Sequence, residues 1–138
     1  MLKKASSRKK LTRKEQHDLD IEIGFLEGVV GRDPSYIDAL RVLGDDYTRR
    51  GRFSEGLKID EQLVKLRPSE AMFHYNLACS YSLTGRLDLA FSALEQALVL
   101  GYRDFKWLAE DPDLENLRGD PKYRRIRARI RSLRIRIQ

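Results

Sequence analysis

A chain of 138 residues, 41% hydrophobic and 35% charged, has the size of one domain and the composition of a folded globular protein. No run approaches the roughly 18 consecutive apolar residues of a membrane-spanning helix, and the basic opening MLKKASSRKKLTRKEQ lacks the apolar stretch of a secretory signal. One cysteine, Cys79, excludes an internal disulfide and a multi-cysteine zinc site, and suits a reducing, cytoplasmic setting.

The formal charge of +6 is unevenly spread. Residues 1–14 carry seven Lys/Arg and no Asp/Glu, and residues 118–138 carry nine Lys/Arg and one Asp. The body between them is left with eleven basic and twenty acidic residues. Fields of this kind act locally, over about 8–10 Å at physiological salt. An anionic partner is therefore expected to meet the ends and not the body.

Residues 1–11, polar and without periodicity, are expected to form a mobile basic tail. Thr12-Arg13-Lys14-Glu15 has the form of a capping box. Behind it Leu19, Ile23, Leu26 and Val30 recur at helical spacing, with Phe25 and Val29 widening the stripe, until Gly31 and Asp33-Pro34 stop the helix. A second helix is predicted from Tyr36 to Arg50, with Leu40, Leu43 and Tyr47 on one face, and Gly51 ends it. The next opens near Ser54, carries Leu57, Leu63, Val64 and Leu66, and stops before Pro68. Met72 to Leu83 and Asp88 to Leu100 form a further pair, broken at Gly85 and closed by Gly101. Asp104, Asp111 and Asp120 each read as an N-cap, the last two with a proline suited to the first helical position. The final helix, Pro121 to about Ile137, places Tyr123, Ile126, Ile130, Leu133 and Ile137 on one face and arginines on most of the rest.

Pro34 and Pro68 lie 34 residues apart, as do Leu43 and Leu77, Tyr47 and Tyr81, and Gly51 and Gly85. A period of this length marks a helix-pair repeat. At these positions the chain resembles the tetratricopeptide repeat (TPR) family. One unit starting at Ile37 shows Leu40, Leu43-Gly44, Tyr47, Gly51, Phe53, Gly56 and Pro68. The next, starting at Ala71, shows Leu77-Ala78, Tyr81, Gly85, Leu87, Ala90, Leu94 and Ala97. Leu63, His74 and Tyr102 depart from the pattern, standing where Ala, Trp and Pro are usual. The run DPDLENLRGDPKY resembles a frequent ending of bacterial TPR proteins. The resemblance implies an all-α, TPR-like right-handed α-solenoid of antiparallel helix pairs. Its expected organisation is a tail over 1–11, an array over 12–120 with repeats near 37–70 and 71–104, and a basic amphipathic capping helix over 121–138.

The helix from Arg13 to Val30 is expected to stand with part of its stripe uncovered, because the segment before it cannot supply an apolar face. The C-terminal stripe is expected to cover Trp107, Leu114 and the last repeat.

Chemistry-bearing residues are sparse. Gly51 to Lys58 looks like a damaged phosphate-binding loop, but its lysine is displaced and no strand precedes it, and both glycines have structural roles in the repeat. His74 and Cys79 lack partners at catalytic or metal-ligand spacing, and the acidic neighbours of His17, Asp18 and Asp20, are ordinary on a solvated helix. No enzyme activity, cofactor or metal is expected. The resemblance instead implies a concave groove lined by first helices, with Asp38, Arg41, Asp45 and Thr48 on one and Met72, Tyr75, Asn76, Cys79 and Ser82 on the next. A peptide or protein segment is expected there, with Met72 and Tyr75 as apolar contacts and Arg41, Asn76 and Lys106 as polar ones. Asp45 and Glu110 stand against a receptor for carboxylate-ended chaperone tails. Two alternatives remain open from sequence: a nucleic-acid- or ribosome-associated factor using Arg124, Arg125, Arg127, Arg131 and Arg134 on phosphates, and a self-associating subunit joined through the first long helix.

Overall fold

The computed structural model describes residues 10–137, so most of the basic tail expected at 1–11 lies outside the described residues. Within them the chain is all-helical, with no strand. Eight α-helices follow in order: α1 (Arg13–Arg32), α2 (Ile37–Arg49), α3 (Phe53–Leu66), α4 (Ala71–Leu83), α5 (Leu87–Val99), α6 (Phe105–Glu110), α7 (Glu115–Arg118) and α8 (Tyr123–Ile137). A 3-10 turn over Pro112–Leu114 separates α6 from α7. None of these helices is long and apolar enough to cross a membrane.

The local signals act as the sequence predicts. The Thr12 hydroxyl accepts from the Glu15 amide at 3.1 Å, and the Glu15 carboxylate accepts from the Thr12 amide at 2.9 Å, closing the capping box of α1. Asp104 accepts from the Trp107 amide at 3.1 Å to start α6. Asp120 accepts from the Lys122 amide at 2.9 Å, which holds Pro121 and Lys122 in a turn. For that reason α8 begins at Tyr123, two residues later than the proline suggests.

The 34-residue period reappears in the backbone. α2 and α4 begin and end 34 residues apart, and α3 and α5 begin 34 apart. Gly51 (φ 84°) and Gly85 (φ 78°) take the left-handed conformation that side-chain-bearing residues avoid. Each ends its first helix with the same bond, the Arg52 amide donating to the Tyr47 carbonyl (2.8 Å) and the Arg86 amide to the Tyr81 carbonyl (2.9 Å). These short turns fold α3 back on α2 and α5 back on α4, and each of α1 to α5 packs chiefly on its chain neighbours.

Gly44 and Gly56 set the distance between α2 and α3. A Cβ at Gly44 would stand 3.0 Å from the Ile59 side chain, and one at Gly56 3.0 Å from the Thr48 hydroxyl. Fully buried Ala78 and Ala90 hold the equivalent positions in the next pair.

Two apolar clusters form the core. One joins Ile23, Leu40, Leu43, Tyr47, Ile59, Leu63 and Phe73. The larger runs from Leu57 and Leu77 through Leu94 and Leu98 to Leu108, Leu114, Leu117, Tyr123 and Ile126. Val64 touches both.

α8 packs by Tyr123 and Ile126, with Ile130 and Leu133 beside them, while the Ile137 side chain lies outside the described residues. It does not cover Trp107 as expected: that ring is 47% exposed. On the short helix α6, Phe105 and Leu108 take the core face at i, i+3 spacing, which turns Trp107 outward. α1 buries only Leu19 and Ile23, and Ile21 and Phe25 stand exposed on its other side.

Candidate functional site

α2, α4 and α6 bring one face each to a concave groove of about 910 Å³. On α2, Asp38, Arg41, Val42, Asp45 and Thr48 recur at one-turn spacing along it. On α4, Met72, Tyr75, Asn76 and Cys79 do the same. The third wall is built by Tyr102, Asp104, Trp107, Asp111 and Asp113.

Five of the expected site residues, Arg41, Asp45, Met72, Tyr75 and Asn76, come together here. Lys106 is exposed but lies outside the groove lining, because its neighbours Phe105 and Leu108 face inward and Trp107 takes the groove side. Ser82 was expected on the groove and is instead fully buried. The turn after α6 and α7 pack over that end of α4, and the Asn116 amide donates to the Ser82 carbonyl at 3.4 Å.

The groove side chains divide into fixed and exposed ones. Tyr75 is fixed: its ring stacks on Tyr102 at 4.1 Å with an interplanar angle of 6°, and its hydroxyl donates to Asp111 Oδ2 at 2.6 Å. Burial, with the neighbouring Cys79 and Asp111 adding to it, holds the Tyr75 phenol far above its ordinary range. Burial likewise pushes Tyr102 up to about 12, against the opposing bond from Tyr75. Asp111 also accepts from Cys79 Sγ at 3.6 Å and from the Asp113 amide at 2.9 Å. Cys79, Asp111 and Asp113 are close enough to share a metal ion, their ligand atoms all within 4.8 Å.

Beneath Gly44 lies Asp60 of α3, nearly buried, with the Ser80 hydroxyl donating to it at 2.5 Å. Burial raises its carboxyl to about 7, and the charges of Asp45 and Glu61 add to that while the Ser80 bond opposes it. A Cβ on residue 44 would stand 3.4 Å from Asp60 Oδ1, so the missing side chain is what opens the groove onto this carboxyl. Met72, Trp107 and Val42 are the exposed apolar groups, each close to half in solvent. Asp38, Asp45 and Asp104 are the exposed acids, with Arg41 paired to Asp38 at 3.9 Å.

Sequence reasoning missed Val42, Asp60, Tyr102, Asp104, Trp107, Asp111 and Asp113 as groove residues. Asp104 and Asp111 were legible as caps and Trp107 as apolar, but their convergence depends on the bend after α5.

Among the described residues, none of the α8 arginines expected to meet phosphates, Arg124, Arg125, Arg127, Arg131 and Arg134, lines the groove. Arg125 and Arg129 approach Glu95 of α5 at 4.0 and 3.8 Å. Arg127 lies over the Tyr123 ring and Arg134 over Phe105, at 4.9 and 5.4 Å. Arg124 and Arg131 are exposed.

No family model matches the chain. Over 83 residues it is 42% identical to a protein of Arabidopsis thaliana named as chloroplastic, a match covering 58% of this chain and 25% of that protein. Over 91 residues it is 31% identical to the peroxisomal targeting signal receptor of Komagataella phaffii, covering 64% of this chain and 16% of the receptor. The receptor of Komagataella pastoris matches to the same extent. The chain thus spans a quarter or less of the length of these relatives.

Proposed function

We propose that this chain is a TPR-like right-handed α-solenoid of helix pairs, capped by α8, that works as a non-enzymatic protein-interaction module and holds a peptide or protein segment in its concave groove. The observation that carries the reading is the convergence of exposed Met72, Val42 and Trp107 on one groove between α2, α4 and α6. Apolar groups left half in water along the lining of a concavity gain by being covered. Similarity to proteins named as targeting signal receptors supports a peptide as the occupant. Arg41, Asp45 and Asn76 supply direction along the segment, and Tyr75, clamped by Tyr102 and Asp111, supplies a rigid wall instead of a mobile contact. A cytoplasmic setting suits the single thiol, while the Arabidopsis relative is by name a chloroplast protein.

Selection from a displayed random-peptide library, followed by amide-shift mapping of the enriched peptide, tests the reading. Shifts at Met72, Asn76 and Trp107 and loss of binding in Met72→Glu are expected. Enriched peptides indifferent to Met72→Glu and mapping to another face contradict it.

A second reading rests on Ile21 and Phe25, which are 60% and 66% exposed on α1 and give a copy of the chain an apolar stripe to cover. Sedimentation that stays monomeric at high concentration removes it.

A further inference from the structure

We infer that the occupant of the groove is a cationic segment, an extended stretch bearing Lys or Arg beside one or two apolar side chains, contributed by a separate protein. The inference rests on the groove reading above and adds to it the chemical class of the ligand.

The argument begins with a contrast. The whole chain carries +6, yet among the described residues its groove lining holds six aspartates and one arginine. The acidity is therefore a property of this surface and opposes the average. Arg41, the one guanidinium of that lining among the described residues, is already answered by Asp38 at 3.9 Å. Asp45 and Asp104 stand exposed on opposite walls, with Met72 and Trp107 in the same groove.

Below them the Asp60 carboxyl shares the site with Asp45, and a cation arriving above Gly44 would favour its ionised form. An anionic segment meets repulsion on both walls, and a purely apolar one takes water from those carboxylates without answering their charge. A cationic segment satisfies the acids while its apolar side chains cover Met72, Val42 and Trp107.

The test uses fluorescence anisotropy with three labelled peptides of equal length and identical leucine positions, their remaining residues being Lys/Arg, Ser/Gln or Asp/Glu. The basic peptide is expected to bind about tenfold or more tighter than the neutral one, to shift the emission of Trp107, and to weaken as salt rises from about 0.05 to about 0.3 M. Asp38→Asn, Asp45→Asn and Asp104→Asn together are expected to cost about tenfold or more, Asn preserving the cap at 104. Asp88→Asn, outside the groove, is expected to change affinity less than about twofold.

Should the neutral or acidic peptide bind as tightly as the basic one while still shifting Trp107, the cationic assignment falls and the groove reading stands. Basic-peptide binding that ignores the three substitutions and leaves Trp107 unmoved overturns both, as does the absence of binding by all three peptides. Self-association of the chain that competes with the basic peptide would assign the groove to a second copy's basic ends, against a separate partner.

Discussion

The Tyr81 hydroxyl donates to Glu61 at 3.3 Å, and one repeat earlier the Tyr47 hydroxyl donates to Glu27 at 2.5 Å. Both tyrosines reach a carboxylate twenty residues back along the chain, on the helix preceding their own. The bond therefore ties each helix pair to what comes before it. Tyr47 is also covered by the Arg52 guanidinium, 4.9 Å from its ring centre.

Removing one hydroxyl tests that tie. Tyr47→Phe is expected to lower stability by about 1.5–3 kcal/mol, as for a bond to a charged group, and Tyr81→Phe by about 0.5–1.5 kcal/mol through its longer bond. Urea denaturation of both variants, with Glu27→Gln completing a double-mutant cycle, measures the difference.

Glycine positions give a second, sharper contrast. Gly56→Val must push against Thr48 and the Gly44 backbone and is expected to cost about 1–3 kcal/mol or more. Gly24, in mid-α1 with nothing near its missing side chain, is expected to gain about 0.5–1 kcal/mol on substitution by Ala. Thermal unfolding of the two variants should move in opposite directions.

That contrast also shows where the sequence was informative. The turns at Gly51 and Gly85 and the cap at Thr12 are periodic or local, so spacing alone revealed them, whereas Gly44 and Gly56 were marked only by the repeat resemblance. The groove was half legible. Most positions on α2 and α4 follow from the repeat resemblance, whereas Asp60 enters only because a neighbouring helix lacks a side chain at Gly44. Ser82 was misplaced because the segment that buries it, after α6, breaks the period.

Acidity offers a third measurement. Burial raises the Asp60 and Asp46 carboxyls from 3.8 to about 7, and Asp46 is pushed further by hydrogen bonding to Glu22 and by the charges of Glu22 and Asp45, against the pull of Arg49. Between about pH 4 and about pH 7 the native chain thus holds protons that the unfolded chain has released. The stability these two groups contribute is full below about pH 4, declines as pH rises, and is gone above about pH 7. Denaturation midpoints compared across that window should fall with rising pH. The fall should flatten in Asp46→Asn with Asp60→Asn, which leaves both sites neutral throughout.

The C-terminal helix can be weighed against α1. Ile126, 1% exposed in the larger cluster, is expected to cost about 2–4 kcal/mol as Ile126→Ala. Ile21→Ala, at a residue 60% exposed, should stay within about 0.5 kcal/mol of the parent. Paired guanidinium titrations of the two variants decide it.

Val64 has a consequence for how the molecule comes apart. A side chain shared by both apolar clusters makes the loss of one felt by the other. Local opening then begins at the two ends, in α1, whose only extensive contact among the described residues is with α2, and in α8, which has none that extensive, while α2 to α5 melt as a unit. In hydrogen exchange the amides of α1 and α8 would lose protection first, and those of α2 to α5 would share a common opening energy.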